Sequence, residues 1–309
     1  MQYSILAALK ATDGFVSGEA LARRLGVTRV TVWKHVSQLR ARGYVVQALR
    51  NRGYRLESSP NVLVPMEFPR MKYRIKHSLS VDSTMRVARQ QAQRGAPAGI
   101  VVVAEEQTAG RGRLGRHWES PPGGIYLTII TRPRIAPAQA ARINLLVGVV
   151  VSRTLESLYG LPARVKWPND VLIYGKKVCG ILAEMEAECD VVRFVNVGIG
   201  LNANSRVAEN QPNGVSLLEL LGEPVDRVLL VRQLLDAVFD ALPQLASDAM
   251  LDDWRARTMT LGREVSIVSG ASDVHGVALD VTASGALLVR DAGGQIHEVM
   301  AGDCLHQGY

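Results

Sequence analysis

An apolar run over residues 100–104 leads straight into Glu105-Glu106-Gln107-Thr108-Ala109-Gly110-Arg111-Gly112-Arg113-Leu114-Gly115-Arg116-His117-Trp118-Glu119-Ser120. The run has the length and content of a buried strand, so the fold must contain a sheet whose strand end opens into this loop. Three glycines let backbone amides approach a ligand closely, and the arginines between them offer fixed forks of donors to carboxylate or phosphate. The stretch taken alone is compatible with an anion-binding loop, a solvated basic loop or an arm on nucleic acid.

The position of the charge narrows that choice. Of the formal net charge of +7, residues 1–60 hold all: ten basic side chains (Lys10, Arg23, Arg24, Arg29, Lys34, Arg40, Arg42, Arg50, Arg52, Arg55) face three acids (Asp13, Glu19, Glu57). The 26 basic and 26 acidic residues that remain cancel. Such concentration is the electrostatic footprint of a polyanion partner, most often nucleic acid. At 309 residues and 47% hydrophobic content the chain is long enough for two or three packed domains. Three widely spaced cysteines (Cys179, Cys189, Cys304) form no metal-ligand pattern and no disulfide framework. No basic segment followed by a long apolar run opens the chain, and no stretch is apolar enough to span a bilayer. A soluble, cytoplasmic protein with no membrane partner is expected.

Within residues 1–60, Ile5, Leu6 and Leu9 give a short amphipathic helix. Ser17-Gly18-Glu19 starts a second helix with Leu21, Ala22 and Leu25 inward and Gly26 at its end. Thr28 caps a third, with Val32, Val36 and Leu39 at core spacing. Two helices joined by a tight Leu-Gly-Val turn match a helix-turn-helix. Residues 44–49 and 53–56 around Arg50-Asn51-Arg52 read as a basic β-hairpin wing. The arrangement resembles the winged helix-turn-helix of bacterial regulators. Thr28, Arg29 and Thr31 are candidates for base readout, and Lys34, Arg50 and Arg52 for phosphate contact. Trp33 sits beside the apolar stripe: it packs under the wing or lies on the DNA-facing side, and the spacing does not choose. Residues 61–69, with Pro65 and Pro69, read as a linker.

Residues 70–258 mix strands and helices. A strand over 75–79 leads to Ser80-Val81-Asp82-Ser83-Thr84, where Asp82 or Ser83 caps a helix. Residues 125–131 are a strand, 135–159 a long helix with Ile143, Leu146, Val147, Val150, Leu155 and Leu158 inward. Residues 171–174 and 177–184 pair as a hairpin, and 191–199 form another strand. Residues 225–246 and 248–257 are helices, the first with Leu229, Leu230, Leu234, Val238 and Leu242 inward. A mixed or antiparallel sheet covered by helices follows. Residues 259–309 carry short strands over 265–268, 274–280, 286–290 and 296–300. The fold class expected is α+β and multidomain.

Four motifs occur in order: Gly110-Arg-Gly-Arg-Leu-Gly-Arg, Lys166-Trp-Pro-Asn-Asp, Lys177-Val-Cys-Gly-Ile-Leu and Gly198-Ile-Gly-Leu-Asn. Together they resemble the biotin–protein ligases, and with the N-terminal module the whole chain resembles the bacterial enzymes that are both biotin ligase and biotin operon repressor. The resemblance implies a winged helix-turn-helix over 1–60, a linker over 61–69, a class II aminoacyl-tRNA synthetase-like catalytic domain over 70–258 and an SH3-like barrel over 259–309. It implies ATP-dependent formation of biotinyl-5′-AMP from biotin and ATP-Mg2+, then transfer to a lysine of a biotin carboxyl carrier protein. Operator DNA and a homodimer are the implied partners in repression. Lys177 matches the lysine at the biotin carboxyl and adenylate phosphate, with Arg113 and Arg116 beside it as catalytic cations. Ser83, Thr84, Gln107 and Arg111 match the biotin side, and Arg113, Arg116, Trp118, Asn169 and Asn202 the ATP and adenylate side. No residue is assigned as a resident metal ligand. Trp167 is read as a core aromatic.

The chain departs from the family at Met85, where an asparagine is common, and at Pro212-Asn213-Gly214-Val215, where some members place an aromatic residue. The terminal Cys304-Leu-His306-Gln-Gly-Tyr309 gives no match to the family's basic nucleotide contact. Two alternatives stand beside the ligase-repressor: a repressor whose ligase-like domain only senses ligand, and a lipoate ligase.

Overall fold

The computed structural model describes residues 1–69, 71–207, 211, 213–268 and 273–306. Pro212 and Gln307–Tyr309, noted above as departures, lie outside them. By its contacts the chain divides into two compact units, Met1–Val62 and Leu63–Tyr309.

The first unit holds α1 (Gln2–Lys10), α2 (Gly18–Leu25), α3 (Arg29–Ala41), β1 (Val45–Leu49) and β2 (Gly53–Ser58). Ser17 Oγ accepts from Ala20 N at 3.0 Å and starts α2, which Gly26 closes in the left-handed conformation at φ 65°. Thr28 Oγ1 accepts from Thr31 N at 3.2 Å and starts α3. Ile5, Leu6, Leu21, Val32, Val36 and Leu39 are buried together, each worth on the order of 2 kcal/mol. Leu25, expected inward, is only half-buried. The Arg40 guanidinium donates to Val46 O through Nε (2.9 Å) and Nη2 (2.6 Å), tying α3 to the hairpin. Gly53 has φ +101°, and a Cβ there would stand 2.0 Å from Val16 O, because Val16 pairs with Tyr54 at the hairpin edge. Only glycine fits this close approach.

The second unit is built on a seven-stranded sheet from β3 (Arg74–Val81), β4 (Ile100–Gln107), β5 (Ile125–Thr131), β6 (Arg164–Lys166), β7 (Asp170–Ile173), β8 (Lys176–Glu188) and β9 (Val191–Leu201). Their order is β3-β4-β5-β9-β8-β7-β6, with β3 and β4 parallel and all other pairs antiparallel. Around it lie α4 (Thr84–Gln93), α5 (Arg142–Tyr159), α6 (Leu217–Leu221), α7 (Arg227–Ala241) and α8 (Asp248–Arg257). α5 packs on β6, β8, α7 and α8, so it is apolar nearly all round. A second sheet, β10 (Glu264–Val268), β11 (Val274–Val281), β12 (Leu287–Arg290), β13 (Ile296–Val299) and β14 (Asp303–His306), is antiparallel throughout in the order β13-β12-β11-β10-β14.

Several expectations need correction. The long helix begins at Arg142, not 135: Ala136, preceding Pro137, is held extended at ψ 148°. Within residues 61–69, Leu63 and Phe68 are buried in the core of the second unit, so this stretch is not a free tether throughout. Leu229 points outward at 40% exposure, because it stands about 200° round the helix from buried Val231. Leu158 and Leu242 are half-buried. α6 and β14 had no counterpart in the pattern reading. Trp167 is core, as read, at 1% exposure, and it also fastens the second sheet: its Nε1 donates to Gly285 O (3.2 Å), and its N–H donates to Thr260 Oγ1 (3.0 Å). Buried Arg142 adds bonds to Ala283 O (3.0 Å) and Ser247 O (2.6 Å). These contacts hold the second sheet in place, and residues at the start of β14 meet the site.

Candidate functional site

A cavity of about 400 Å³ opens beside the ends of β4, β8 and β9. Its floor exists because three strand residues lack side chains. Gly180 of β8 faces Gly200 of β9 across the ladder. A Cβ on Gly200 would lie 2.6 Å from the Trp118 indole, and one on Gly180 would lie 2.8 Å from it. A Cβ on Gly198 would lie 2.8 Å from Met85 Cε. The indole thus lies on a glycine slot, and the Met85 thioether helps line the cavity.

The Gly/Arg loop is a narrow hairpin. Gln107 N donates to Ser120 O (3.1 Å), Trp118 N to Gly110 O (2.9 Å) and Gly112 N to Arg116 O (2.7 Å). Its tip turns at Leu114, whose φ of 55° is left-handed for a non-glycine residue.

One end of the cavity carries a directional chain of neutral polar groups. Thr128 Oγ1 donates to Thr84 Oγ1 (2.9 Å), and Thr84 donates to Gln107 Oε1 through Oγ1 (3.1 Å) and N (2.8 Å). Gln107 Nε2 then donates to Ser120 Oγ (2.8 Å), which donates to Trp118 O (3.0 Å). Ser83 begins α4, but its hydroxyl makes no capping bond. Asp82 Oδ1 accepts instead from the adjacent Ser83 N at 2.5 Å, so neither side chain caps the helix in the ordinary way. Ser83 Oγ is buried with no hydrogen-bond partner among the described residues. A buried hydroxyl left open in a cavity wall is costly unless a ligand meets it.

The other end is ionic. Lys177 Nζ lies 2.6 Å from Asp170 Oδ1 and 5.2 Å from the centre of the Trp118 ring. Its backbone pairs with the stretch after Pro212: Lys177 N donates to Asn213 O (2.7 Å) and Val215 N to Lys177 O (2.9 Å). Arg113 Nη1 donates to Asn169 Oδ1 and to Gly302 O, both at 3.2 Å, and Asn169 Nδ2 donates to Ile181 O (2.7 Å). Burial pulls the Arg113 pKa down, attraction to Asp170 opposes this and the Arg116 charge adds to it. A half-buried cation whose hydrogen-bond acceptors are neutral suits an incoming anion. Arg116 pairs with Asp303 at the start of β14. Asn202 is buried and donates from Nδ2 to Val215 O at 3.2 Å. Arg111 is exposed at the cavity rim.

Behind β4, Glu105 accepts from Leu63 N (3.0 Å) and Arg227 Nη2 (2.8 Å), and its Oε1 lies 3.0 Å from His77 Nε2. Burial alone would raise this carboxyl, but the His77 hydrogen bond, the Arg227 charge and the Leu63 N–H together hold its pKa at about 2. Arg227 also donates to Gly124 O (2.8 Å), so one buried cation braces the strand and the turn after the loop.

Among the described residues no three His, Cys, Asp or Glu side chains converge as a ready metal cage. Asn169, Asp170 and Asp303 nevertheless line the cavity. Both carboxylates are already paired with cations, Asp170 with Lys177 and Asp303 with Arg116.

In the first unit Thr28, Arg29, Lys34, Arg50 and Arg52 are exposed and Thr31 is half-buried. The Arg52 guanidinium sits 4.8 Å over the Phe15 ring, which limits the freedom of the wing tip. Trp33 is 61% exposed, so it does not pack under the wing.

The structure therefore gathers Ser83, Thr84, Gln107, Arg111, Arg113, Arg116, Trp118, Asn169, Lys177 and Asn202 around one cavity. Pattern reading missed Thr128, Asp170 and Asp303. Thr128 had a signal as the inward polar residue in an apolar strand, and Asp170 closes a motif already singled out. Asp303 had none, since its partner is 187 residues away.

The biotin/lipoate A/B protein ligase family model matches residues 78–204, an HTH domain model residues 2–55, and a biotin protein ligase C-terminal domain model residues 260–307. A bifunctional ligase/repressor BirA of Bacillus spizizenii is 39% identical over 241 residues, 73% of each chain. That of Escherichia coli is 31% identical over 298 residues, 93% of this chain and 92% of its own. The biotin protein ligase from Aquifex aeolicus, solved in complex with biotin and ATP, superposes with a TM-score of 0.66 at 28% identity, covering 77% of this chain and 99% of that one. The chain belongs to the biotin/lipoate A/B protein ligase family, in its bifunctional ligase/repressor form. No helix among the described residues is long and apolar enough to cross a membrane.

Proposed function

We propose that the protein is an ATP-dependent biotin–protein ligase that forms biotinyl-5′-AMP, transfers biotin to a lysine of a biotin carboxyl carrier protein, and represses transcription of biotin synthesis genes in response to biotin. The observation that carries this reading is the two-ended cavity: an open Ser83 hydroxyl and the Thr84–Gln107 chain at one end, Lys177 and Arg113 at the other. A ureido ring needs neutral donors and acceptors, and the carboxylate-to-phosphate reaction needs cations.

In the first step the biotin carboxylate oxygen attacks the α-phosphorus of ATP, a new O–P bond forms, and pyrophosphate leaves with the electrons of the broken P–O bond. Lys177 and Arg113 stabilise the charge on the transferring oxygens, and their fixed positions spare reorganisation during reaction. Mg2+ arriving with ATP would neutralise the departing pyrophosphate, with Asn169 the side chain that would stand near the phosphates and metal. In the second step the acceptor amine attacks the biotinyl carbonyl, and AMP leaves. The Gly110–Arg116 hairpin covers the intermediate and keeps water from the mixed anhydride.

The four-part division, 1–60, 61–69, 70–258 and 259–309, assigns DNA reading to the first segment. Thr28, Arg29 and Thr31 meet bases there, while Lys34, Arg50 and Arg52 meet phosphates. Adenylate binding favours a homodimer that places two such segments on a two-fold operator in the cytoplasm. Asn202 and Trp118 lie on the nucleotide side.

Biotin-dependent ATP–pyrophosphate exchange, with lipoate as control, tests the enzyme. Exchange with lipoate alone would make it a lipoate ligase; exchange with neither acid would leave a ligand-sensing repressor. An operator footprint indifferent to biotin and ATP would overturn the regulatory part.

A further inference from the structure

α3 turns two large apolar side chains into solvent: Val30 is 73% exposed and Trp33 is 61% exposed. At about 100° per residue, Val30 stands about 160° from buried Val32, with Lys34, Ser37 and Ala41 on the same outer face. Trp33 lies on the margin toward Arg40, which is bonded to the hairpin at Val46 O. Val30 and Trp33 are an i, i+3 pair, so they form one patch and not two scattered surface residues. Exposed Arg29 and Lys34 adjoin the patch, in the segment that carries the chain's entire net charge. An apolar patch framed by cations on a helix-turn-helix needs a partner that is anionic outside and apolar at points within. The major groove of duplex DNA has one apolar group, the thymine C5 methyl.

We propose that Val30 and Trp33 read thymine methyl groups in the major groove, while the basic residues around them fix the register on the phosphates. This rests on the DNA-binding reading above and says which base it discriminates. Thr28 and Thr31, engaged with each other at 3.0 Å, shape the helix start beside this patch.

The test uses the full-length protein with biotin and ATP to select sites from a pool of randomised 40-bp duplexes. Each thymine of the selected site is then replaced by uracil, which deletes only the methyl. We expect at least one replacement to weaken wild-type binding about fourfold, the worth of one buried methyl. Val30→Ala and Trp33→Ala should bind thymine and uracil duplexes alike at those positions and keep the wild-type salt slope. Lys34→Ala should instead weaken all sequences and lower the salt slope by about one. The retained salt slope shows that the first unit of both apolar variants folds, and wild-type pyrophosphate exchange shows the same of the second unit. Uracil tolerance at every position by the wild type, or an undiminished thymine preference in both variants, would overturn the proposal. Failure to enrich any duplex would overturn the DNA-binding reading itself, a result distinct from enrichment without methyl dependence.

Discussion

Lys177 Nζ and Asp170 Oδ1 stand 2.6 Å apart although they belong to different strands, and the pair faces the same cavity as the Trp118 indole. The carboxylate holds the ammonium at the mouth of the ionic end. Replacing Lys177 by Met leaves Asp170 without its cation and removes the charge proposed to face the reacting oxygens. Pyrophosphate exchange should fall about 10²–10³-fold, the effect of removing a preorganised charge. Exchange kinetics at saturating biotin and ATP measure it, and a loss confined to KM would contradict the assignment.

Arg113 binds Asn169 and Gly302 O at once, so it spans the sheet and the C-terminal domain. Arg113→Gly should release free biotinyl-adenylate, seen as biotin label on bystander proteins. Asp303→Ala frees Arg116 and should produce a milder leak. Labelling that stays confined to the carrier protein in both variants would exclude a retaining role for the hairpin.

Gly200 allows the indole to lie on the sheet. A methyl 2.6 Å from the ring forces Trp118 off its slot. Gly200→Ala should therefore raise the ATP KM about tenfold with little change in thermal stability, measured by exchange kinetics alongside a melting curve.

Thr128 supplies the first proton of the neutral relay. Thr128→Val keeps its shape and removes one hydrogen bond, worth about 1 kcal/mol or roughly fivefold in affinity. The biotin Kd from calorimetry should rise by that factor while the ATP Kd stays put.

Glu105 has its pKa depressed to about 2 by neighbours in the folded state. Its carboxylate therefore stabilises the fold fully above the ordinary range near 4.5, and the contribution fades as pH falls toward 2. The amount is on the order of 3 kcal/mol. Glu105→Gln should lose stability at pH 7 and show a flatter decline between pH 5 and 2 in urea unfolding.

The N-terminal module was legible because its signals are local: Ser17, Gly26 and Thr28 are caps whose hydrogen bonds span three or four residues. The strand over residues 125–131 was equally legible, since burial on both faces demands a continuous apolar run. The long helix was misjudged at its start, where Pro137 outweighs the apolar periodicity. The outward turn of Leu229 depends on which face α7 gives to α5, which periodicity alone did not settle.

Many of the residue types at the site were set by the sequence in four motifs whose order limits the chemistry, among them Arg113, Asn169, Lys177 and Asn202. Only the tertiary structure decided which of their atoms are free to act. Ser83 could cap a helix or face a ligand; folding leaves its hydroxyl buried and unmet in the cavity wall. Asp303 became part of the site only when β14 paired with β10 and the second sheet was fastened through Trp167. Hydrogen bonds and ion pairs act over a few ångströms of space, so side chains nearly two hundred residues apart meet only where the packed core brings their backbones together.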